Sequence, residues 1–575
     1  MKIKIFTLIT FIVNLYVIPA YSQVQIPRLE RGTLSVPVIS RNGMVSSREK
    51  IASQVGADIL ENGGNAVDAA VAVGFTLAVT LSQSGNLAGG GFMVIHLAEQ
   101  NKTIAIDYRE MAPAGARRDM FLDADGEVDD EISLFSHKAS AVPGTVAGLI
   151  HALENYGTMS LQQVMQPAYD IALNGFPAYY YMEHSLKLRQ NRLKQNDAFA
   201  KVFFKPDGTM YMNGENVVQK DLADSLGRIM LTGKAAFYSG TIAEKIVAEM
   251  EANDGLITME DLANYKVVER EAVMGDYKGY QIATMPPPSS GGVHLIQLLN
   301  MLENDDLKSK GHNSAANIHL YVEAMRQVFA DRTEYLGDPD FVEVPVDELT
   351  SKEYAKIIRD LIPMDRARTS DEVAPALEMI REGTNTTHFS VMDKDGNAVS
   401  NTYSINFAYG SGIMVPGTGI ILNNEMDDFS AKPGTSDTYG LIGGEANAIE
   451  AGKRPLSSMT PTIVFKDGKV HMVTGTPGGG RIITAVLQSI LNVVDFEMNV
   501  QDAVNAPRIH HQWLPDIIYT EAGISQDTKN ILTNMGHIVD EKPSAIGFLN
   551  SIVYRNGVFY GANDPRSADG AAIGY

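Results

Sequence analysis

The chain has no cysteine. Disulfides, thiolate metal sites, iron–sulfur clusters and cysteine nucleophiles are excluded together, so an attacking atom must be oxygen or nitrogen. Positive charge is scarce as well: 47 Lys+Arg stand against 69 Asp+Glu, a net charge of -22. Phosphate backbones are gripped by clustered cations, so nucleic acid is not expected as a partner. HExxH and GxSxG are absent. Residues 475–482 carry the glycines of a phosphate loop but lack the Lys and Ser/Thr that should follow them. Asp123, Asp125, Asp129 and Asp130 miss the EF-hand spacing and read as a solvated acidic loop. His510-His511 has no third ligand near it in sequence, so no metal and no cofactor is expected.

One long apolar run exists, at the N-terminus. Lys2 and Lys4 precede residues 5–20, and Ala20-Tyr21-Ser22 supplies small residues for a cut after Ser22. This is the three-part layout of a secretory signal at 1–22. The run is shorter than the ~20 apolar residues of a membrane span, and Thr10, Asn14 and Pro19 interrupt it. The expectation is an exported protein, periplasmic or secreted, with no stable membrane anchor. Without disulfides its stability must come from core size, which 575 residues allow. Length alone admits about four domains at ~150 residues each.

The chain reads as helix-rich first and strand-rich later. Residues 66–79 are dense in Ala and Val, with Asn65 placed to cap them and Asp68 in the first turn. This is a helix buried all round. Further helices are expected at 242–250, 293–302 and 482–494, and strands at 386–392, 398–405, 420–422, 462–465 and 470–474. Together these give mixed α and β around stacked sheets.

Asp395-Gly396 marks a hairpin turn. A two-residue loop would oppose Val391 with Ser400, mixing apolar with polar. A three-residue loop, Lys394-Asp395-Gly396, opposes Val391 with Val399, Phe389 with Asn401 and Thr387 with Tyr403. One face then holds Phe389, Val391, Val399, Tyr403 and Ile405. The other holds Thr386, His388, Ser390, Thr402, Ser404 and Asn406. The second register segregates better, and a one-residue slip would put every side chain on the wrong face. It predicts a cluster of two hydroxyls and an amide, Thr386, Ser404 and Asn406, at one end of the hairpin. Cross-strand Thr–Ser pairs also occur in ordinary sheets.

At these residues the chain resembles the gamma-glutamyltranspeptidases, a family of N-terminal-nucleophile hydrolases. The resemblance rests on Thr386-Thr387-His388-Phe389-Ser390 and on segments 62–70, 89–92, 107–113, 286–292, 423–429, 454–459 and 564–567. It implies an α+β fold, a four-layer αββα sandwich, made of two intertwined chains from one precursor. The precursor would cut itself at Asn385–Thr386 into a large subunit, 23–385, and a small catalytic subunit, 386–575, held together as a heterodimer. Thr386 would be the nucleophile, and its released α-amine the base. An α-amine titrates near 7.7–8.0, close enough to neutrality for that task. Ser404, where the family usually has threonine, would hold Thr386. The N–H groups of Gly478 and Gly479 would form the oxyanion hole; a tight turn before the following helix is the plain alternative. Arg109 would take the α-carboxylate of a gamma-glutamyl group, helped by Ser457 and Ser458. Asn406, Glu425 and Asp428 would take its ammonium, and Tyr439 would gate the pocket. The implied substrates are glutathione and related gamma-glutamyl compounds, with water, an amino acid or a dipeptide as acceptor. Two other readings are a cephalosporin-acylase-like amidase and an exported binding protein on an inert scaffold.

Overall fold

A computed structural model describes residues 36–373, 386–435 and 441–575. The expectations placed on the 1–22 signal, on Asn385 and on Tyr439 lie outside these residues. Residues 37–575 form one compact unit, so the length-based count of four domains does not hold.

Two seven-stranded antiparallel sheets lie face to face. The first runs Val38–Ser40, Val558–Asn563, Asn550–Arg555, Lys469–Thr474, Thr462–Lys466, Tyr280–Thr284, Val273–Tyr277. The second runs Ala571–Gly574, Gly43–Ser47, Thr387–Asp393, Ala398–Ser404, Gly90–Leu97, Lys102–Tyr108, Val268–Arg270. Helices Lys50–Glu61, Ala66–Thr80 and Thr145–Tyr156 cover the second sheet. Helices Ser290–Leu302 and Arg481–Val494 belong to the apolar cluster on the first. The result is the four-layer αββα sandwich. Both sheets interleave strands from before residue 373 with strands from after 386. Thr387–Asp393, for example, pairs with Gly43–Ser47, and Ala398–Ser404 with Gly90–Leu97. Among the described residues no helix is long and apolar enough to cross a membrane.

Helix Ala66–Thr80 is buried at every position, as its Ala/Val density predicts. Asn65 caps it in a full capping box: its side chain accepts from Val67 N and Asp68 N, while Asp68 accepts from Asn65 N. Asp68 is itself buried and also accepts from Thr158 N, Thr158 Oγ1 and Met159 N. The other expected helices appear as Thr241–Ala252, Ser290–Leu302 and Arg481–Val494.

The hairpin adopts the three-residue-loop register, with Thr387 opposite Tyr403, Phe389 opposite Asn401 and Val391 opposite Val399. Gly396 supplies the positive φ of +91° that the turn needs. Both faces are buried, each against different material. Phe389, Val391, Val399, Tyr403 and Ile405 join the core under helix Ala66–Thr80, where the Tyr403 hydroxyl donates to Gly74 O. The polar face meets the other sheet: Ser390 Oγ donates to Asn550 O, and Ser400 Oγ donates to Thr474 O. His388 bridges Thr402 Oγ1 at 2.8 Å and Ser390 Oγ at 3.0 Å. Burial pushes its proton affinity down to about 3, so it stays neutral near neutral pH.

Asn65→Ala removes the cap of the central helix and its bond to Tyr156 O. The expected cost is about 1–2 kcal/mol, read as a lower urea midpoint at unchanged slope. An unchanged midpoint would mean that packing alone fixes where this helix begins.

Candidate active site

Thr386 precedes strand Thr387–Asp393 at the end of the sandwich opposite the 394–396 turn, and is 5% exposed. Its Oγ1 lies 3.4 Å from Ser404 Oγ, a long contact. Ser404 Oγ also accepts from Asn406 N at 2.8 Å. Asn406 sits at φ +66°, which turns the chain out of the sheet immediately after the strand. The hydroxyl, hydroxyl and amide therefore cluster as the hairpin register requires. Behind them the backbones crowd. A Cβ on Gly89 would fall 1.9 Å from Ser404 O, so only glycine fits there, and Asn86 Nδ2 donates to that same carbonyl.

A pocket opens on Thr386, lined by Ser404, Asn406, Glu425, Asp428, Ser457, Ser458 and Gly479. Leu441, Leu456, Met459 and Ile482 supply its apolar wall, and Arg332 a second guanidinium. Gly478 and Gly479 have φ of +138° and +56°, and their carbonyls accept from Arg481 N and Ile482 N at the head of helix Arg481–Val494. This is both the tight turn and the helix-head geometry on which an oxyanion site can be built.

Arg109 is fully buried and already paired. Nε donates to Pro455 O at 3.2 Å, and Nη1 to Glu425 at 2.5 Å and Glu110 at 3.3 Å; Nη2 donates to Asp428. The guanidinium that should meet a substrate carboxylate is thus already engaged, by the very acids expected to hold the substrate ammonium. Tyr265 Oη and Arg454 Nη1 both donate to Arg109 O, and Arg454 also pairs with Asp107, which pins the residue from behind. Three carboxylates against one guanidinium leave excess negative charge in a dry place. Burial raises the proton affinity of Glu425 and Asp428, and lifts Glu110 to about 7 despite Arg109 beside it. Burial works against the charge of Arg109, but Glu425, Asp428 and Glu110 together hold it protonated. One oxygen each of Glu110 and Glu425 is buried with no hydrogen-bond partner. Ser457 Oγ accepts from Met459 N, whereas Ser458 Oγ is buried without a partner.

Three residues of this site escaped the sequence reading. Glu110 adjoins Arg109 within one of the motif segments but carries no mark of its own. Arg332, in helix Ala315–Tyr335, donates through Nε to Ser290 Oγ. Arg48 donates to Thr386 O at 2.7 Å. A lone arginine in sequence gives no sign of which carbonyl or hydroxyl it will reach. His319, Glu323 and His537 bring ligand atoms within 4.8 Å of one another, remote in role from this pocket. Glu323 there is paired with Arg368 and lies 3.6 Å from Arg326.

The gamma-glutamyltranspeptidase family model matches residues 52–574. The chain is 53% identical over 540 residues to a glutathione hydrolase proenzyme of Escherichia coli strain K12, covering 94% of this chain and 93% of that one. Its fold is similar to a cephalosporin acylase from Bacillus halodurans, with a TM-score of 0.83 and 27% identity over 99% of both chains. It is also similar to the Helicobacter pylori gamma-glutamyltranspeptidase, with a TM-score of 0.56 and 45% identity over 61% of this chain and 98% of that one. With the family model matched over almost its whole length and a curated relative 53% identical to it, the chain belongs to the gamma-glutamyltranspeptidase family.

Proposed function

We propose that this protein is a self-cleaving gamma-glutamyl hydrolase and transferase acting on glutathione and related gamma-glutamyl amides. The observation that carries the reading is that Glu425 and Asp428 line one pocket with Thr386 and are both paired with the buried Arg109 behind them. A gamma-glutamyl group ends in an α-carbon that bears both a carboxylate and an ammonium. Its ammonium takes over Glu425 and Asp428, with Asn406 beside them. The guanidinium of Arg109 is thereby released to the carboxylate, alongside the unpartnered Ser458 hydroxyl and that of Ser457. A glutaryl chain has no ammonium to offer the acids, which disfavours the acylase reading.

Maturation starts from the uncut chain. Thr386 Oγ attacks the Asn385 carbonyl, the acyl group shifts from nitrogen to oxygen and frees the Thr386 α-amine, and water then hydrolyses the ester to an Asn385 carboxylate and the Thr386 hydroxyl. Subunits 23–385 and 386–575 stay together because their strands alternate in both sheets. In turnover the α-amine takes the Thr386 hydroxyl proton as Oγ attacks the γ-carbonyl. The N–H groups of Gly478 and Gly479 receive the oxyanion, and the proton passes to the departing amine. The glutamyl ester is then taken by water, or by the amine of an amino acid or dipeptide. Ser404 holds Thr386 loosely at 3.4 Å, lacking the methyl that a threonine would pack there. An exported, periplasmic or secreted location follows from the signal-like 1–22 segment.

Purified protein should run as two chains, the smaller beginning at Thr386 by N-terminal sequencing, and Thr386→Ala should stay as one. A small chain with any other first residue overturns the assignment. Arg109→Ala should lower kcat/KM for a gamma-glutamyl anilide by roughly 100-fold, the scale of lost charge-assisted bonds, while changing the self-cleavage rate little. Equal losses in both would make Arg109 a folding residue. The raised acid in this cluster has a pH signature. A buried carboxyl whose proton affinity is raised on folding costs nothing while protonated. Its stabilising contribution is complete below the ordinary 4.5 and is lost as pH rises through about 7. The melting temperature should therefore fall across that window, and Glu110→Gln should flatten the fall. The same slope in wild type and variant would place the titration elsewhere.

A further inference from the structure

Arg48 lies between strand Gly43–Ser47 and helix Lys50–Glu61 and is 2% exposed. Its guanidinium carbon sits 4.9 Å from the centre of the Tyr181 ring and 4.4 Å from that of Phe548, so the cation is packed between two aromatic rings. Nη1 donates to the backbone carbonyl of Thr386 at 2.7 Å, and Nε is buried with no partner. Among the described residues no carboxylate comes within ion-pair distance of it. A buried charge without a counter-ion is costly, and the rings offset only part of that cost. The one polar group it reaches is the carbonyl of the residue proposed as nucleophile.

We propose that Arg48 is a positioning residue for the nucleophile: it anchors Thr386 by its carbonyl and, through its uncompensated charge, keeps the released α-amine in the free-base form that accepts a proton. This rests on the reading of Thr386 as an N-terminal nucleophile. The carbonyl oxygen and the nitrogen of one residue are at most ~3.6 Å apart, so the guanidinium stands within about 6 Å of the amine. A cation at that distance in a dry site disfavours a second positive charge. The anchoring matters because the residue before Thr386 is lost on cleavage. Afterwards, the first hydrogen-bonded pair of the hairpin and the Arg48 bond are what fix the terminal residue.

The other charges around this position have been claimed by partners. Glu49, next in sequence, accepts from Ile51 N, Ala52 N and Thr80 Oγ1, and burial raises its proton affinity. Asp569, which accepts from Tyr181 N, is beyond ion-pair distance of Arg48; burial raises its proton affinity, and the backbone N–H of Tyr181 and the charge of Arg48 only partly offset that. Across the pocket, Glu425 and Asp428 are tied to Arg109, and Asp427 is reached by Asn406 Nδ2 at 3.5 Å. Arg332 donates to Ser290. His388, two residues along, is neutral. Arg48 is the one charge bonded directly to the nucleophile residue.

The test is the acid limb of the kcat/KM–pH profile with a gamma-glutamyl anilide, measured on the cleaved enzyme. Arg48→Gln keeps a donor but loses the charge, and should move the limb up by ~1 pH unit. Arg48→Lys keeps the charge and should leave the limb in place. A Gln variant with an unmoved limb overturns the proposal, as do equal shifts in both variants. Should the Gln variant fail to fold, direct titration of the Thr386 α-amine in wild type by NMR decides. A value below the ordinary α-amino range of about 7.7–8.0 supports the proposal, and one within or above it overturns it. The underlying reading fails separately: if the small chain does not begin at Thr386, or if turnover survives chemical blocking of its amine, the nucleophile is wrong whatever Arg48 does.

Discussion

The register of one hairpin governs most of this molecule. With three residues in the turn, Thr387 faces Tyr403, and Phe389, Val391, Val399 and Tyr403 fall on the side of helix Ala66–Thr80, while Met392 and Ala398 pack between the sheets. The hydroxyls, His388 and Asn406 fall on the other. A slip by one position would drive His388 and Thr402 into an all-apolar helix layer and leave Phe389 and Val391 against the polar groups of the other sheet. The same register brings the Thr386 hydroxyl to the Ser404 hydroxyl at the sandwich rim. Stability and chemistry are thus two faces of one ladder, and the glycines at 89–91 matter because they let a neighbouring strand press against that end of it.

Around this rim the protein concentrates charge that it elsewhere avoids burying. Arg109 and three carboxylates form a closed cluster with more acid than base. Arg48, bonded to Thr386 O, has no carboxylate within ion-pair distance among the described residues. Neither arrangement is what folding alone would favour, since buried ionic groups gain little over apolar packing. Local violations of that kind are expected where function, rather than stability, has set the residues.

Interleaving of the strands has its own consequence. Because segments from either side of residue 386 pair with one another in both sheets, breaking the chain there removes no ladder hydrogen bond of the sandwich. The break changes only what precedes Thr386. A fold that can lose a peptide bond at its active site without loosening is the physical precondition for making a nucleophile out of a chain end.

The helix at 66–80 was legible because an unbroken Ala/Val run with Asn65 ahead of it and Asp68 in its first turn admits one structure, and the hairpin because side-chain alternation penalises every register but one. The motif segments were enough to name the family and to point at Arg109, Glu425 and Asp428. They did not reveal that Glu425 and Asp428 both pair with Arg109, nor that Glu110 joins them. Those facts depend on where burial leaves charges with no water to turn to. Arg48 and Arg332 were invisible for a related reason: each reaches its partner across a large sequence separation, 338 residues for Arg48 and Thr386. Local pattern sets what a segment becomes, because periodicity and caps act over a few residues. Only the tertiary structure decides which distant charge comes to rest beside Thr386 without a paired carboxylate among the described residues, because that depends on how the sheets close and where water is shut out.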